Sequence, residues 1–217
     1  MSSVLDKVSL AVRIQHHPSR AEAVTELLPR LDGLDPQIVT DPGGPKLSPW
    51  RCHRLCLASI TDDATHLLCV QDDAWPCAGF PDLIRAAIAE QPDRIIAAFL
   101  PGFSPIMRRV NVARKAGARW VTMDVRSFVP LVAIVYPAEH ARAILEFTDA
   151  KKVPIHRADD AVIAGYCRAN RVPVVAPLPC LVEHRDELPS VMKMPSGQGR
   201  AHRLAAWYVE DPVPSVV

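Results

Sequence analysis

Glycine is scarce in this chain, with 9 residues among 217 against 21 prolines, whereas ordinary usage puts glycine above proline. No G-x-G-x-x-G and no G-x-x-x-x-G-K-[ST] occurs, which excludes the common glycine-built phosphate cradles. An excess of one charge is missing too. Lys and Arg number 25 and Asp and Glu 24, a formal net charge of +1, so the chain as a whole recruits neither nucleic acid nor an anionic membrane, and any such partner needs a local patch. The longest apolar run, residues 128–138, contains Pro130 and Pro137 and is too short to cross a bilayer, so no membrane partner is expected. Residues 1–10 carry Asp6 and Lys7 and lack the basic and apolar regions of a signal peptide. Six cysteines without a secretory signal read as reduced thiols rather than a disulfide framework, and the expected location is cytoplasmic.

What is present is ordinary globular material, 49% hydrophobic and 23% charged, in a length that suits one generous domain or two small ones. Residues 8–14 read as a buried strand. Ser19 opens a helix, with Glu22 completing a capping box and Val24, Leu27, Leu28 and Leu31 on one face. Residues 37–40 form a second strand, 41–45 a turn, and Ser48-Pro49 starts a helix to about Ile60. Residues 67–71 form a third strand that ends at Asp72-Asp73. Pro81 starts a helix to Glu90 that turns Leu83, Ile84, Ala87 and Ile88 to the core, and residues 94–100 form a fourth strand buried on both faces. This alternation predicts an α/β fold with a mainly parallel central sheet flanked by helices. The second half is less regular. Ser104-Pro105 caps a helix ending near Gly117, residues 120–123 and 131–135 are strands, Pro137 opens a helix to Thr148, Asp159 caps one to Asn170, and residues 173–176 are a strand. Beyond Pro177 the chain reads as loops with one short element at 203–209.

The most informative segment is Leu67-Leu68-Cys69-Val70-Gln71-Asp72-Asp73-Ala74. An apolar strand that ends in carboxylates delivers them to the crevice where open α/β sheets bind ligands. Neighbouring side chains on a strand point to opposite faces, so both acids reach one site only if the chain turns there, and Trp75-Pro76 supplies a turn. Hard oxygen ligands suit Mg²⁺ or Mn²⁺, held by one or two carboxylates with substrate phosphates completing the shell. A blander reading stands beside it, an N-cap Asp next to a solvated loop residue.

The order of strand, His16-His17-Pro18-Ser19-Arg20, helix, strand ending in Asp41, helix, and strand ending in Gln71-Asp72-Asp73-Ala74 resembles the nucleotide-sugar half of GT-A glycosyltransferases. Ala158-Asp159-Asp160-Ala161-Val162 and Leu178-Pro179-Cys180-Leu181-Val182-Glu183-His184 extend the likeness, which covers most of the chain in element order and rests on short motifs. The size is similar to that of small enzymes of this type from bacteria and their phages. The resemblance implies a single domain over 1–217, with a nucleotide-sugar-binding half at 1–101, an acceptor half at 102–190 and a C-terminal tail at 191–217, itself a free loop or a lid. It implies a metal-dependent glycosyltransferase using Mn²⁺ or Mg²⁺ and a nucleotide-sugar donor. Asp73 is then the principal metal ligand, completed by His184, with Asp72 toward the sugar or ribose. Asp41 bonds the donor base, Arg20 and the backbone near His17 lie beside the nucleotide, and Asp159 or Asp160 is the general base for an acceptor hydroxyl. The acidic motif, Asp-Asp-Ala, departs from the family's commoner Asp-x-Asp.

Other constellations admit two readings. Cys52 and Cys56, four apart with His53 between them, suggest zinc, but there is no second pair at zinc spacing, and buried thiols of a core helix fit better. Residues 107–126 are basic, with Arg108, Arg109, Arg114 and Lys115 on a helix; the stretch is a solvated face or a track for a phosphate backbone. Lys193, Arg200, His202 and Arg203 surround Ser196-Gly197-Gln198-Gly199, a free loop or a lid whose Arg200 and Arg203 close over the donor diphosphate. The first acceptor expectation is a hydroxylated or hydroxymethylated pyrimidine in phage DNA, modified in the host cytoplasm. Arg108, Arg109 and Lys115 would hold the backbone, and Trp50, Trp75 or Phe103 would stack on the flipped base. A glycan or protein hydroxyl is the second. The rivals are a nucleotidyltransferase, which brings a glycine-rich basic loop where this chain has His16-His17-Pro18, and a non-catalytic module that binds nucleotide sugar or DNA.

Overall fold

The computed structural model describes residues 8–43, 49–125, 129–188 and 204–210. Three strands expected in the first half form side by side: β1 (Leu10–His16), β2 (Gln37–Thr40) and β3 (His66–Gln71), β1 being parallel to both others. With β5 (Ile95–Ala97), β6 (Trp120–Thr122), β7 (Ala133–Pro137) and β8 (Val174–Pro177) they build a seven-stranded sheet in the order β2-β1-β3-β7-β5-β8-β6. β7 runs antiparallel to β3 and β5, β6 antiparallel to β8, and β5 parallel to β8. Five strands therefore share one direction, so the sheet is mainly parallel, as the strand–helix alternation predicts.

Strand alternation divides the apolar residues between two faces. Leu67, Cys69, Ile134 and Tyr136 belong to one core, with Trp50 and Leu57 of α2 (Pro49–Ala58) and Ile163 of α6 (Asp159–Asn170). Leu68, Val70, Ala133 and Val135 belong to the other, with Val24 and Leu27 of α1 (Ala21–Leu27) and Phe80 and Ile84 of α3 (Phe80–Glu90). Covering both faces is what the unbroken apolar character of β3 and β7 requires. The helical faces are narrower than the spacing suggests. Leu28 and Leu83 stay 37% and 39% exposed, while Leu31, Ile84 and Ile88 are buried.

Several local expectations are corrected. The Ser19–Glu22 capping box does not form. His17 is the N-cap, its ring Nδ1 accepting the Ser19 N–H at 3.3 Å, and a short 3-10 turn, Pro18–Arg20, leads into α1. The caps of α4 (Ser104–Lys115) and α6 are Phe103 and Ala158, so Ser104 and Asp159 are first helical residues rather than caps. The strand expected at 94–100 is only β5, because pairing with β7 and β8 covers no more than Ile95 to Ala97. Ser48 lies outside the described residues. Two strands absent from the sequence reading, β4 (Ala74–Pro76) and β9 (Val182–His184), pair antiparallel with Ala74 opposite His184. α5 (Ala138–Ala150) completes the helices, and among the described residues none is long and apolar enough to cross a membrane.

α3 begins at Gly79, held at φ +70 in the left-handed region. A side chain meets open space there, so Gly79→Ala is expected to cost only the backbone strain, about 1–2 kcal/mol. Urea unfolding should show a lower midpoint with an unchanged slope.

Candidate functional site

The parallel pairing of β1 with β3 puts the ends of both strands on one crest, where the Asp72 N–H donates to the Gln15 carbonyl at 3.1 Å. β3 stops at Gln71 and β4 begins at Ala74, so the chain turns at the two acids as expected, and both face one cation. Arg20 Nη1 donates to Asp72 Oδ1 at 2.8 Å and to Asp73 Oδ2 at 2.5 Å. Asp72 Oδ2 accepts the His17 backbone N–H at 2.6 Å. All three charged side chains are buried. Arg20, expected beside the nucleotide, is thus the counter-charge of the acidic pair, because two adjacent buried carboxylates need one.

The β4–β9 pair brings in the second half of the chain. Asp73 O accepts the Arg185 N–H at 2.8 Å, and His184 Nε2 lies 3.2 Å from Asp73 Oδ2. Asp73 and His184, expected to share a metal, are therefore adjacent across 111 positions of sequence (184 − 73). Burial pushes the Asp73 carboxyl up, but the hydrogen bond and charge of His184 and the charge of Arg20 outweigh it and bring it down to about 2. Burial dominates at Asp72, which is raised despite His17 and Arg20.

Asp73 Oδ1 is buried and has no hydrogen-bond partner. An open, buried oxygen on a carboxylate whose other oxygen meets an imidazole fits a divalent cation that accepts oxygen and nitrogen ligands, as Mn²⁺ does. Among the described residues no group of three or more His, Cys, Asp or Glu side chains converges, so most of the shell falls to water and substrate oxygens.

Asp159, at the start of α6, is buried behind the same crest. Its Oδ2 accepts from Gln15 Nε2 at 3.2 Å and its Oδ1 from the Asp160 N–H at 3.0 Å. Burial raises it, and the negative charge of Asp73 raises it further. Asp160 is half-buried and raised by burial and by Asp159, with its Oδ1 accepting the Ala161 N–H at 2.6 Å. Asp41 sits at the end of β2, where the donor base is expected. Its Oδ1 accepts from Gly43 N at 3.1 Å and from Arg51 Nη2 and Nε at 2.5 and 3.2 Å.

The remaining expected residues do not join this cluster. The Trp75 ring is covered by the Arg30 guanidinium at 3.6 Å, with Arg185 at 5.3 Å, so it is not an open stacking platform. Arg108, Arg109 and Lys115 are exposed on α4, which packs on β6 at the sheet edge opposite β2, and Arg109 faces Asp124 at 3.5 Å. Arg200 and Arg203 lie outside the described residues. All six cysteines are free and buried; Cys52 is raised by its contact with Cys56 and by burial, and Cys56, though Cys52 pulls it down, is raised by Cys69 and by burial, as core packing groups are. Sequence reasoning does not reach Arg51, Gln15 or Tyr136, and it places His53 only beside a zinc reading. Each lies in an element whose local pattern explains it as ordinary strand or helix.

No protein-family model matches the sequence, and no curated protein does. Solved structures do match. A Drosophila β1,4-galactosyltransferase 7 mutant in complex with manganese, UDP-galactose and xylobiose aligns with a TM-score of 0.52 at 10% identity, over 88% of this chain and 77% of that one. The catalytic domain of the Drosophila enzyme with xylobiose aligns with a TM-score of 0.52 at 10% identity, over 87% and 77%. With its mainly parallel seven-stranded sheet covered by helices on both faces, the chain has the mixed α/β fold of these proteins, the GT-A type.

Proposed function

We propose that this chain is a metal-dependent glycosyltransferase that moves a sugar from a nucleotide diphosphate to an acceptor hydroxyl. The observation that carries the reading is the open, buried Oδ1 of Asp73, whose Oδ2 meets His184, on the crest of a GT-A-type sheet. Asp73 and His184 would hold Mn²⁺ or Mg²⁺, which when bound neutralises charge on the departing diphosphate. Asp72, fixed by Arg20 and the His17 N–H, presents its carboxylate toward the sugar or ribose. Asp41, steadied by Arg51, takes the donor base. Asp159 is the general base rather than Asp160, because it is the one bonded to Gln15 behind the acidic crest. The acceptor O–H proton passes to Asp159 while the acceptor oxygen bonds the sugar's anomeric carbon. The bond from that carbon to the diphosphate oxygen breaks, and its electron pair leaves with the nucleotide.

Residues 1–101 serve as the nucleotide half and 102–190 as the acceptor half of one domain. Six buried thiols suit a reducing cytoplasm. A sugar hydroxyl is the first acceptor, supported by the disaccharide bound by the structural neighbours. A hydroxylated pyrimidine in phage DNA is the second, supported by the exposed Arg108, Arg109 and Lys115.

A panel of nucleotide sugars tested by thermal shift with Mn²⁺, followed by mass spectrometry of disaccharide and modified-DNA acceptors, tests the reading. A donor that raises Tm only with metal and adds the mass of its own sugar to an acceptor is expected; transfer of a nucleotide mass instead would identify a nucleotidyltransferase. Asp41→Ala is expected to weaken donor binding about tenfold, the effect of one charged hydrogen bond, by calorimetry with Mn²⁺ present.

A further inference from the structure

A line of hydrogen bonds runs from the centre of the sheet to the buried carboxylate of Asp159. Tyr136 Oη on β7 lies 2.9 Å from His53 Nε2 on α2, and His53 Nδ1 lies 2.9 Å from Gln15 Oε1 at the end of β1. Gln15 Nε2 lies 3.2 Å from Asp159 Oδ2. The direction of each bond follows from one fixed acceptor. Gln15 Nε2 also lies 3.4 Å from the Pro49 carbonyl, which can only accept, so the NH₂ group faces Pro49 and Asp159 and the amide oxygen faces His53. That oxygen needs a proton on Nδ1. Burial takes His53 down to about 3, so the ring is neutral and has one proton to place. Nε2 is then left to accept from the Tyr136 hydroxyl.

We propose that Gln15, His53 and Tyr136 are positioning residues that keep an N–H aimed at Asp159 and so hold it as an ionised proton acceptor. The inference rests on the role given to Asp159 in sugar transfer. With the amide reversed, Oε1 would meet Asp159 Oδ2, an arrangement that only a protonated carboxyl satisfies. It would also leave Pro49 without its donor and require Nε2 to carry the histidine proton. The line of bonds therefore selects between two states of the base. The groups facing Asp159 are Asp160 on its own helix, Asp73 from the end of β3, Tyr136 from β7 and Gln15 from β1. The two acids oppose a charge on Asp159. Gln15 and the Asp160 N–H favour it.

The test reads the free protein. Carboxyl ¹³C spectra, assigned with Asp159→Asn, follow the Asp159 titration, and imidazole ¹⁵N spectra give the His53 tautomer. Expected are an Nδ1–H tautomer that does not titrate between about pH 5 and 8 and an Asp159 midpoint that rises by about one pH unit in Gln15→Leu. In Tyr136→Phe, which keeps the ring packing, the midpoint should rise by less. An Nε2–H tautomer overturns the proposal, as does an unmoved midpoint in both variants. Gln15→Met replaces Gln15→Leu if that variant fails to fold. A moved midpoint with no transfer from any donor would leave the network standing and sink the transferase. Transfer whose acid limb in kcat does not move in Tyr136→Phe would do the reverse.

Discussion

Asp73→Asn is expected to abolish the Mn²⁺-dependent rise in Tm with donor and to lower sugar transfer by about 10³-fold or more. That factor corresponds to about 4 kcal/mol of lost charge stabilisation, the scale of a metal acting on a leaving phosphate. Asn keeps the shape of Asp and can still meet Arg20 and His184, so the fold should survive, while the neutral amide is a poor ligand for a hard cation. The measurements are thermal shift and steady-state rates with donor and Mn²⁺. Donor binding that stays metal-dependent in Asp73→Asn would contradict the assignment of Oδ1.

The same substitution makes a prediction about acid stability. Asp73 titrates at about 2 in the folded protein and near 3.9 in an unfolded chain. Between those values the unfolded state binds more protons, so stability rises with pH. The contribution, about 2.5 kcal/mol, is complete above about pH 5 and is lost as pH falls through 2. Urea unfolding of the wild type should show this slope, and Asp73→Asn should lack it.

Arg20→Met is expected to cost about 3–5 kcal/mol, since it leaves two adjacent buried carboxylates without their shared cation. That is a large part of the 5–15 kcal/mol typical of a domain. Mn²⁺ should recover part of the loss, raising Tm more in the variant than in the wild type, because the ion binds the acids only in the folded state. Arg20→Lys keeps the charge, and because a single nitrogen, Arg20 Nη1, reaches both acids, it should lose less. An Arg20→Met protein as stable as the wild type without metal would contradict the pairing.

How much of this could be read from the sequence depends on the range of the interaction involved. β2 and α6 span the expected residues, because strand and helix signals are local. Asp73 and His184 are expected together only through the resemblance, and the β4–β9 pairing is what brings them to 3.2 Å. The cap at His17 is misplaced, since a ring nitrogen does the work that the serine pattern assigns to a hydroxyl. β4 and β9 escape notice because three residues carry no period.

By itself, the sequence determined the α/β class, the mainly parallel order and the acids at the end of β3, through apolar alternation and through prolines and acids at chain turns. Only the tertiary structure decided what surrounds those acids. Arg20 reaches them across 52 and 53 positions and Gln15 reaches Asp159 across 144. Buried charges and amides take whichever partner the folded chain brings within about 3 Å. The scarcity of glycine excluded a backbone phosphate cradle, and the folded chain leaves a buried oxygen of Asp73 open, the place at which the proposed metal would bind.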